Sequence, residues 1–219
     1  MTQTPEAGGG SPLQRSSKTM KADTMTDWKK KLTGICVACA LLLALAGCTS
    51  WAPPNDYTNM NMDFSSIQTV AVLPFQNLTS DEQAGERVRD SFMGMLLATE
   101  AFYVLPPGEV ARGINRAGVR TAHAPTADEI KSMGKILEAE AVITGVLREY
   151  GPVRSGSTEA NIASVSLSLI ETQTGTIVWA ASSTRGGIDL KDRMLGGGGK
   201  PMNKVTEQVI NDLLDQLFE

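Results

Sequence analysis

The sequence predicts an α/β sandwich, in which helices pack on a mixed β-sheet. Three observations predict it: short β-branched runs, stretches whose apolar residues recur every three or four positions, and two alternating strands joined by a Thr-Gly turn. In chain order the elements are β-α-β-α-α-β-β-β-α. The chain has 219 residues, 42% of them hydrophobic, which is enough for one domain with its own core.

The first half of the predicted domain alternates strands and helices. Residues 67–75 form a short β-branched run that ends at Pro-Phe and predicts a buried strand. Residues 81–100 repeat apolar side chains at helical spacing, and residues 102–106 form a second short strand. Residues 109–117 predict a short helix with one apolar face.

The second half begins with a helix and ends with one. Thr126 is followed three residues later by Glu129, a capping box that predicts a helix start. Residues 141–150 predict a third strand. In residues 162–171 valine and leucine alternate with serine, which predicts a half-buried strand, and a turn leads to its partner at 176–184. Residues 201–218 predict the last helix.

Charge argues against a nucleic-acid partner. The chain has 20 basic and 24 acidic residues. Residues 1–47 contain six of the basic and three of the acidic residues, so residues 48–219 contain 14 basic and 21 acidic residues. An acidic body repels a phosphate backbone, and aromatic residues make up only 5% of the chain. We therefore expect no nucleic acid among the partners.

Residues 34–50, "GICVACALLLALAGCTS", are compatible with a membrane span, a redox pair or a secretory signal. The strongly apolar core covers only residues 35–46, whereas a helix needs about 20 residues to cross a bilayer. Three lysines precede this core and small residues follow it, which is typical of a secretory signal. Cys36 and Cys39 lie inside the apolar core with no strand before them, which disfavours a redox site.

The end of this stretch, Leu45-Ala46-Gly47-Cys48, resembles the lipobox of bacterial lipoproteins. The resemblance implies that the Cys48 thiol receives a diacylglycerol, that the signal is cleaved before it, and that the new amino group is acylated, for example with palmitate. Two or more acyl chains anchor a protein stably. Thr49 at the next position favours, by similarity with enterobacterial sorting, export to the outer membrane.

These patterns divide the chain into three parts. Residues 1–47 are the signal region, 48–66 a lipidated tether without sustained periodicity, and 67–219 the α/β domain. Residues 1–24 make the region before the signal unusually long. We expect translation to start at Met25 rather than Met1, so that the signal peptide covers about 25–47.

No catalytic, metal-binding or cofactor-binding motif is evident in the sequence. The stretch 196–200, "GGGGK", lacks the earlier glycine and the following Ser or Thr of a phosphate loop. His123 is the only histidine, and Asp128, Glu129, Glu138 and Glu140 are explained as helix-start and surface charges. We expect no enzyme activity and no cofactor, and the active part of the protein to be a surface.

Three blocks resemble one superfamily: "IQTVAVLPFQNLTSDEQAGERVRDSFMGMLLATEAFYVL", "LEAEAVITGVLREYG" and "VSLSLIETQTGTIVWAASST". It comprises the periplasmic domain of CsgG, the curli secretion lipoprotein, and the amino-terminal domain of TolB. Asn77, Gly145, Thr174-Gly175 and Trp179 match its pattern over about residues 67–185. The resemblance implies an architecture like that of anticodon-binding domains, facing the periplasm.

The resemblance implies an accessory protein. The related LpoB, an activator of penicillin-binding proteins, carries such a domain on a tether. We therefore expect an outer-membrane lipoprotein that acts in envelope biogenesis or secretion through protein partners and self-association. The alternative is a subunit of a CsgG-like secretion complex. CsgG builds a pore from two long hairpins, and the corresponding residues 151–161 and 186–200 are too short and too polar to span a bilayer.

Overall fold

A mixed β-sheet forms the centre of the domain in the computed structural model, which describes residues 56–155, 158–187 and 199–219. Within these residues the sheet has seven strands: β1 (Asp56–Thr58), β2 (Thr69–Val72), β3 (Gln76–Asn77), β4 (Tyr103–Val104), β5 (Ala141–Ser155), β6 (Thr158–Glu171) and β7 (Ile177–Gly186). The described helices are α1 (Ala84–Ala98), α2 (Pro107–Arg116), α3 (Ala127–Leu137) and α4 (Met202–Phe218), besides a 3-10 turn at Phe64–Ser66. The predicted α/β sandwich is confirmed, with β1 and β3 as additions.

The strand order is β1-β7-β6-β5-β2-β4, and β3 pairs with β5 beyond the end of β2. The strands β2, β3, β4 and β5 pair in parallel, while β5, β6, β7 and β1 pair antiparallel. Parallel neighbours need crossover helices, and the antiparallel part needs only turns, because a hairpin reverses the chain directly. This explains why α1, α2 and α3 lie between the parallel strands, whereas α4 follows the last strand.

Two apolar clusters cover the two faces of the sheet. Residues of β2, and Leu73 directly after it, contribute to each in alternation: Val70 and Val72 belong to the larger cluster, Ala71 and Leu73 to the smaller. The larger cluster includes buried side chains of α1 and α4, and the smaller includes those of α2 and α3. The period-2 geometry of a strand therefore sorts the helices onto opposite faces.

The domain begins earlier in the chain than the sequence boundary at residue 67. Asp56–Thr58 pairs antiparallel with β7, and the Asn59 N–H donates to the Val178 carbonyl at 2.8 Å. Three residues are too few to show an alternating pattern, so their pairing could not be predicted locally. Of the predicted tether, residues from Asp56 onward thus join the sheet domain, and 48–55 lie outside the described residues.

The hairpin of β5 and β6 is longer than predicted. Strands predicted at 141–150 and 162–171 extend to Ser155 and from Thr158, so residues 151–161 are mostly paired strand rather than a loop. Pro152 is tolerated there because β5 has only one neighbouring strand, β6, at that point. On its other side β5 is an edge, where a proline without an N–H interrupts no hydrogen bonds between strands. Of the second predicted gap, residues 188–198 lie outside the described residues.

No helix within the described ranges is long and apolar enough to cross a membrane.

Gly134 of α3 is required by close packing, which gives a test of the fold. A Cβ at this position would lie 2.3 Å from Cβ of Thr172, whose hydroxyl donates to the Ala139 carbonyl at 2.6 Å and cannot easily move. Gly134→Ala should therefore lower the free energy of unfolding by about 1–3 kcal/mol, measured by urea denaturation.

The matched control for this variant is Gly94 in α1, where a Cβ would meet no atom within 4 Å. Gly94→Ala should raise the free energy of unfolding by up to about 1 kcal/mol through helix propensity alone. If both variants shifted stability in the same direction by similar amounts, the packing assigned to Gly134 would be wrong.

A candidate interaction surface at the edge of the sheet

An open apolar groove lies beside β4, the edge strand of the sheet. The end of α1, the end of α4 and the segment before β2 meet there. The groove has a volume of about 860 Å³. Its lining residues are Phe64, Ser65, Ile67, Gln68, Leu97, Glu100, Ala101, Phe102, Tyr103, Leu217 and Phe218.

Large apolar side chains in this groove are exposed to solvent. Leu97 is 52% exposed, Tyr103 64% and Phe218 47%, whereas Val104 beside Tyr103 is buried. The rings of Phe102 and Phe218 contact each other, with centroids 5.9 Å apart. Exposed apolar groups gathered in a concave surface with polar residues at its margin are typical of interaction sites.

The backbone of β4 adds hydrogen-bonding capacity at the sheet edge next to the groove. The Tyr103 N–H donates to the Gln68 carbonyl at 2.7 Å, and the Leu105 N–H donates to the Val70 carbonyl at 2.9 Å. In a parallel pair the residue between two such donors directs its N–H and C=O the other way. The peptide groups of Val104 therefore face outward at the sheet edge, where an extended chain could pair with them.

A second, polar cleft of about 500 Å³ lies between β7 and α4. Asp212 is its central group: the carboxylate accepts hydrogen bonds from the Arg185 Nε and, at 2.7 Å, from the Ser183 hydroxyl. Partial burial pushes the pKa of the Asp212 carboxyl upward, but these two donors outweigh burial and leave the pKa below its ordinary value of 3.8. We assign the cleft a role in holding α4 on the sheet.

The lowered pKa of Asp212 predicts a small pH-dependent stabilisation. The folded state favours the ionised carboxylate, so this stabilisation is present above the ordinary pKa and is lost as the pH falls through the folded value below 3.8. Wild type should exceed Asp212→Asn in stability by no more than about 1 kcal/mol at neutral pH. Urea denaturation of both proteins between neutral and strongly acidic pH checks this. A gap that stayed constant down to the lowest pH would contradict the assignment.

The acidic residues considered for catalysis hold structural positions, and the histidine is exposed. His123 is exposed in the loop before α3. Glu129 completes the capping box of α3: backbone N–H groups of Thr126 and Arg120 donate to its carboxylate and hold its pKa below the usual range. Glu140 accepts from the Thr69 N–H at 2.6 Å.

The other two acidic residues considered for catalysis, Asp128 and Glu138, lie at the two ends of α3. Asp128 lies in the first turn of α3, and Glu138 ends this helix in a left-handed conformation. Within the described ranges, His, Cys, Asp and Glu residues form no group of three that could hold a metal ion.

The predicted lipid-attachment site lies outside the described residues. This applies to Leu45, Ala46, Gly47 and Cys48, as well as to Cys36 and Cys39. Of the glycine-rich stretch, the described Gly199 packs against Ala160, and Lys200 donates to the Gln208 side chain at 3.1 Å. These contacts belong to the entry into α4.

Sequence reasoning did not single out Leu97, Tyr103 or Phe218. One local signal was present: Phe102-Tyr103 and Leu217-Phe218 are pairs of adjacent large apolar residues at element ends. Neighbouring residues of a strand point to opposite sides, and neighbouring residues of a helix point about 100° apart, so one member of such a pair is exposed unless both directions are covered. Whether both faces are covered at an element end depends on the packing of the whole domain.

Several solved structures are similar to this chain. A dodecamer of PelC from Paraburkholderia phytofirmans shares 19% identity at a TM-score of 0.51, over 74% of this chain and 94% of its own. The lipoprotein GNA1162 from Neisseria meningitidis shares 20% identity at a TM-score of 0.48, over 68% of this chain and 99% of its own. The C-terminal domain of LpoB from Escherichia coli shares 12% identity at a TM-score of 0.43, over 57% of this chain and 88% of its own.

At these identities the likeness concerns the fold, and the PelC match supports the α/β architecture described above. No curated protein matches the chain in sequence. A family model described as "Putative lipoprotein GNA1162-like" matches residues 55–219, which is the entire described domain. This match also agrees with the structural start of the domain near Asp56. The expected membership of a lipoprotein family is thereby confirmed, and the chain belongs to the GNA1162-like family.

Proposed function

We propose that the protein is an outer-membrane lipoprotein whose periplasmic domain serves as a non-enzymatic accessory or assembly factor in envelope biogenesis or secretion. The observation that carries the proposal is the apolar groove beside β4, in which Leu97, Tyr103 and Phe218 are exposed. Membership of a lipoprotein family supports the envelope location. The groove binds another envelope protein, and the domain acts through that contact.

A binding role fits the described residues better than a catalytic one. The acidic residues that a hydrolase could use as acid and base, such as Glu129 and Glu140, accept backbone hydrogen bonds and are committed to the fold. The groove instead offers apolar side chains, and the sheet edge beside it offers the outward peptide groups of Val104 in β4. Those groups recognise a polypeptide, since an extended chain supplies both side chains and a hydrogen-bonding backbone.

The proposed anchor is Cys48, preceded by the lipobox Leu45-Ala46-Gly47 at the end of the signal peptide 25–47. Because the sheet begins at Asp56, eight residue steps separate the lipidated residue from the domain. A fully extended chain covers at most about 3.5 Å per residue, so the domain stays within about 28 Å of the lipid anchor. The short link favours a partner in or near the same membrane.

Self-association is part of the proposal, because the similar PelC structure is a dodecamer. A second copy of this chain is therefore one partner to be tested at the groove. The alternative function, a subunit of a CsgG-like secretion complex, requires a closed assembly of copies. It is favoured if purified protein forms discrete rings and these conduct ions in planar bilayers.

Photo-crosslinking in living cells tests the groove as the interaction surface. A photoreactive amino acid replaces Tyr103 in the groove, and in a matched control it replaces Arg112, whose side chain is 66% exposed on α2. We expect adducts of defined mass from position 103 and none above background from position 112. Mass spectrometry then identifies the partner.

The mass of the adducts separates the outcomes. A band at the sum of this chain and another envelope protein supports the proposed accessory role, and a band at twice the mass of the chain supports self-association. Equal crosslinking from positions 103 and 112, or none from 103 while the protein is properly localised, would overturn the groove as the interaction surface.

A further inference from the structure

The ends of two helices meet at the groove, and both carry negative partial charge. Helix α1 ends at Ala98 and helix α4 at Phe218, and residues of both last turns line the groove. The carboxyl end of a helix carries about half a negative elementary charge. Lysine or arginine commonly offsets it, but the last turns of both α1 and α4 contain no basic residue.

Side-chain charge at the groove has the same sign. The lining includes the carboxylate of Glu100, and Lys or Arg is absent from the described lining residues. Glu100 follows directly on the end of α1 in a left-handed conformation with φ of 56°, which glycine adopts more readily. The groove therefore combines an apolar floor with an acidic margin.

We propose that the groove binds an apolar peptide segment that carries basic side chains, contributed by another envelope protein. The inference rests on the proposed function, in which the groove is the interaction surface, and names the chemistry of its partner. Apolar side chains of the segment pack on Leu97, Tyr103 and Phe218. A lysine or arginine lies near Glu100 and the two helix ends, where the faces of Tyr103 and Phe218 also favour a cation.

The charge of the groove distinguishes this partner from a lipid surface. Anionic headgroups would be repelled by Glu100 and by the carboxyl ends of α1 and α4, whereas a cationic segment is attracted to them. The outward peptide groups of Val104 in β4 also match a polypeptide backbone, which lipids do not offer. Charge and backbone geometry therefore both favour a basic peptide.

Peptide binding to the mature lipidated protein in non-ionic detergent tests the inference. Three fluorescent peptides of equal length serve as probes: one alternates leucine with lysine, one leucine with glutamate, and one serine with lysine. We expect the leucine-lysine peptide to bind at least about tenfold more tightly than either of the others, and its affinity to fall with added salt. For the lipid comparison, wild type and Phe218→Ser are each mixed with vesicles that contain or lack phosphatidylglycerol, because the acyl anchor inserts equally into both kinds of vesicle.

Variants locate the binding on the protein. Glu100→Gln removes one charge at nearly constant shape, and Phe218→Ser removes an exposed ring from the groove. Each should weaken binding of the leucine-lysine peptide about fivefold or more, while circular dichroism stays unchanged. The control is Leu78→Ser, which removes a 59% exposed apolar side chain that is absent from the groove lining, and it should leave the affinity unchanged.

Three results would overturn the inference: equal binding of the leucine-glutamate peptide, affinities unaffected by Glu100→Gln and Phe218→Ser, or a preference for anionic over neutral vesicles that Phe218→Ser abolishes. Failure of this inference can be distinguished from failure of the proposed function. If cellular crosslinks form at Tyr103 while the peptides fail, the groove is an interaction surface for a partner of different chemistry. If the peptides bind the groove and no cellular crosslinks form, the accessory role fails and the binding chemistry stands.

Discussion

Replacing Cys48 with alanine should abolish incorporation of labelled palmitate and leave the signal peptide uncleaved. The thiol of Cys48 is the atom to which the proposed diacylglycerol is attached, and lipoprotein signal peptidase acts only after that attachment. The precursor therefore keeps its basic and apolar amino-terminal region and migrates as a larger species. Metabolic labelling followed by gel electrophoresis and intact-mass measurement checks both effects.

The sequence offers matched controls for this experiment. Cys36 and Cys39 precede the proposed cleavage point within the same apolar stretch. Cys36→Ala and Cys39→Ala should keep full labelling and normal cleavage, because both residues are discarded with the signal. Continued labelling of Cys48→Ala would falsify the proposed anchor, and loss of labelling in the Cys36 or Cys39 variant would show that the attachment site is wrongly assigned.

Replacing Phe92 with alanine should lower the free energy of unfolding by about 3–5 kcal/mol. Phe92 is 1% exposed, lies on the inner face of α1 and packs near Phe75, with ring centroids 6.0 Å apart. Its removal leaves a cavity between α1 and the sheet that the surrounding side chains fill only in part. Because domains are stable by only about 5–15 kcal/mol, a loss of this size is a large share of the total.

The control deletes the same atoms at an exposed position. Phe218→Ala, where the ring is 47% exposed in the groove, should cost less than half as much as Phe92→Ala in urea denaturation. The slope of the denaturation curve should be unchanged in both variants. Equal losses would mean that Phe218 contributes to the core and is not free for a partner. Comparing Phe92→Ala with Phe218→Ala thus distinguishes a residue that stabilises the fold from one that is exposed in the groove.

Local patterns were sufficient for the main elements of the domain. The helical spacing of α1 and α4, the alternation of β6 and the capping box of Thr126 and Glu129 are properties of segments shorter than about 20 residues. Each of these elements is present in the structure. The lipobox predicted at Cys48 is likewise a local motif, and the labelling experiment on Cys48→Ala tests it.

Tertiary structure decided what depends on pairing between distant residues. β1 is three residues long and exists because Tyr57 lies opposite Ala180, more than a hundred positions along the chain. The outer half of the β5–β6 hairpin, around Arg154 and Glu159, is polar and lacks an apolar period, yet it is held in strands by the facing backbone.

The groove depends on tertiary structure for the same reason. Leu97, Tyr103 and Phe218 come from three separate elements, and each is a large apolar residue of a type that is usually buried in a core. They meet at the edge strand β4, and there each of them is exposed. The sequence by itself therefore determined which segments fold and where the lipid is expected, because both are local properties. The packing of the segments determined which surface remains open to a partner, because exposure depends on what every other segment covers.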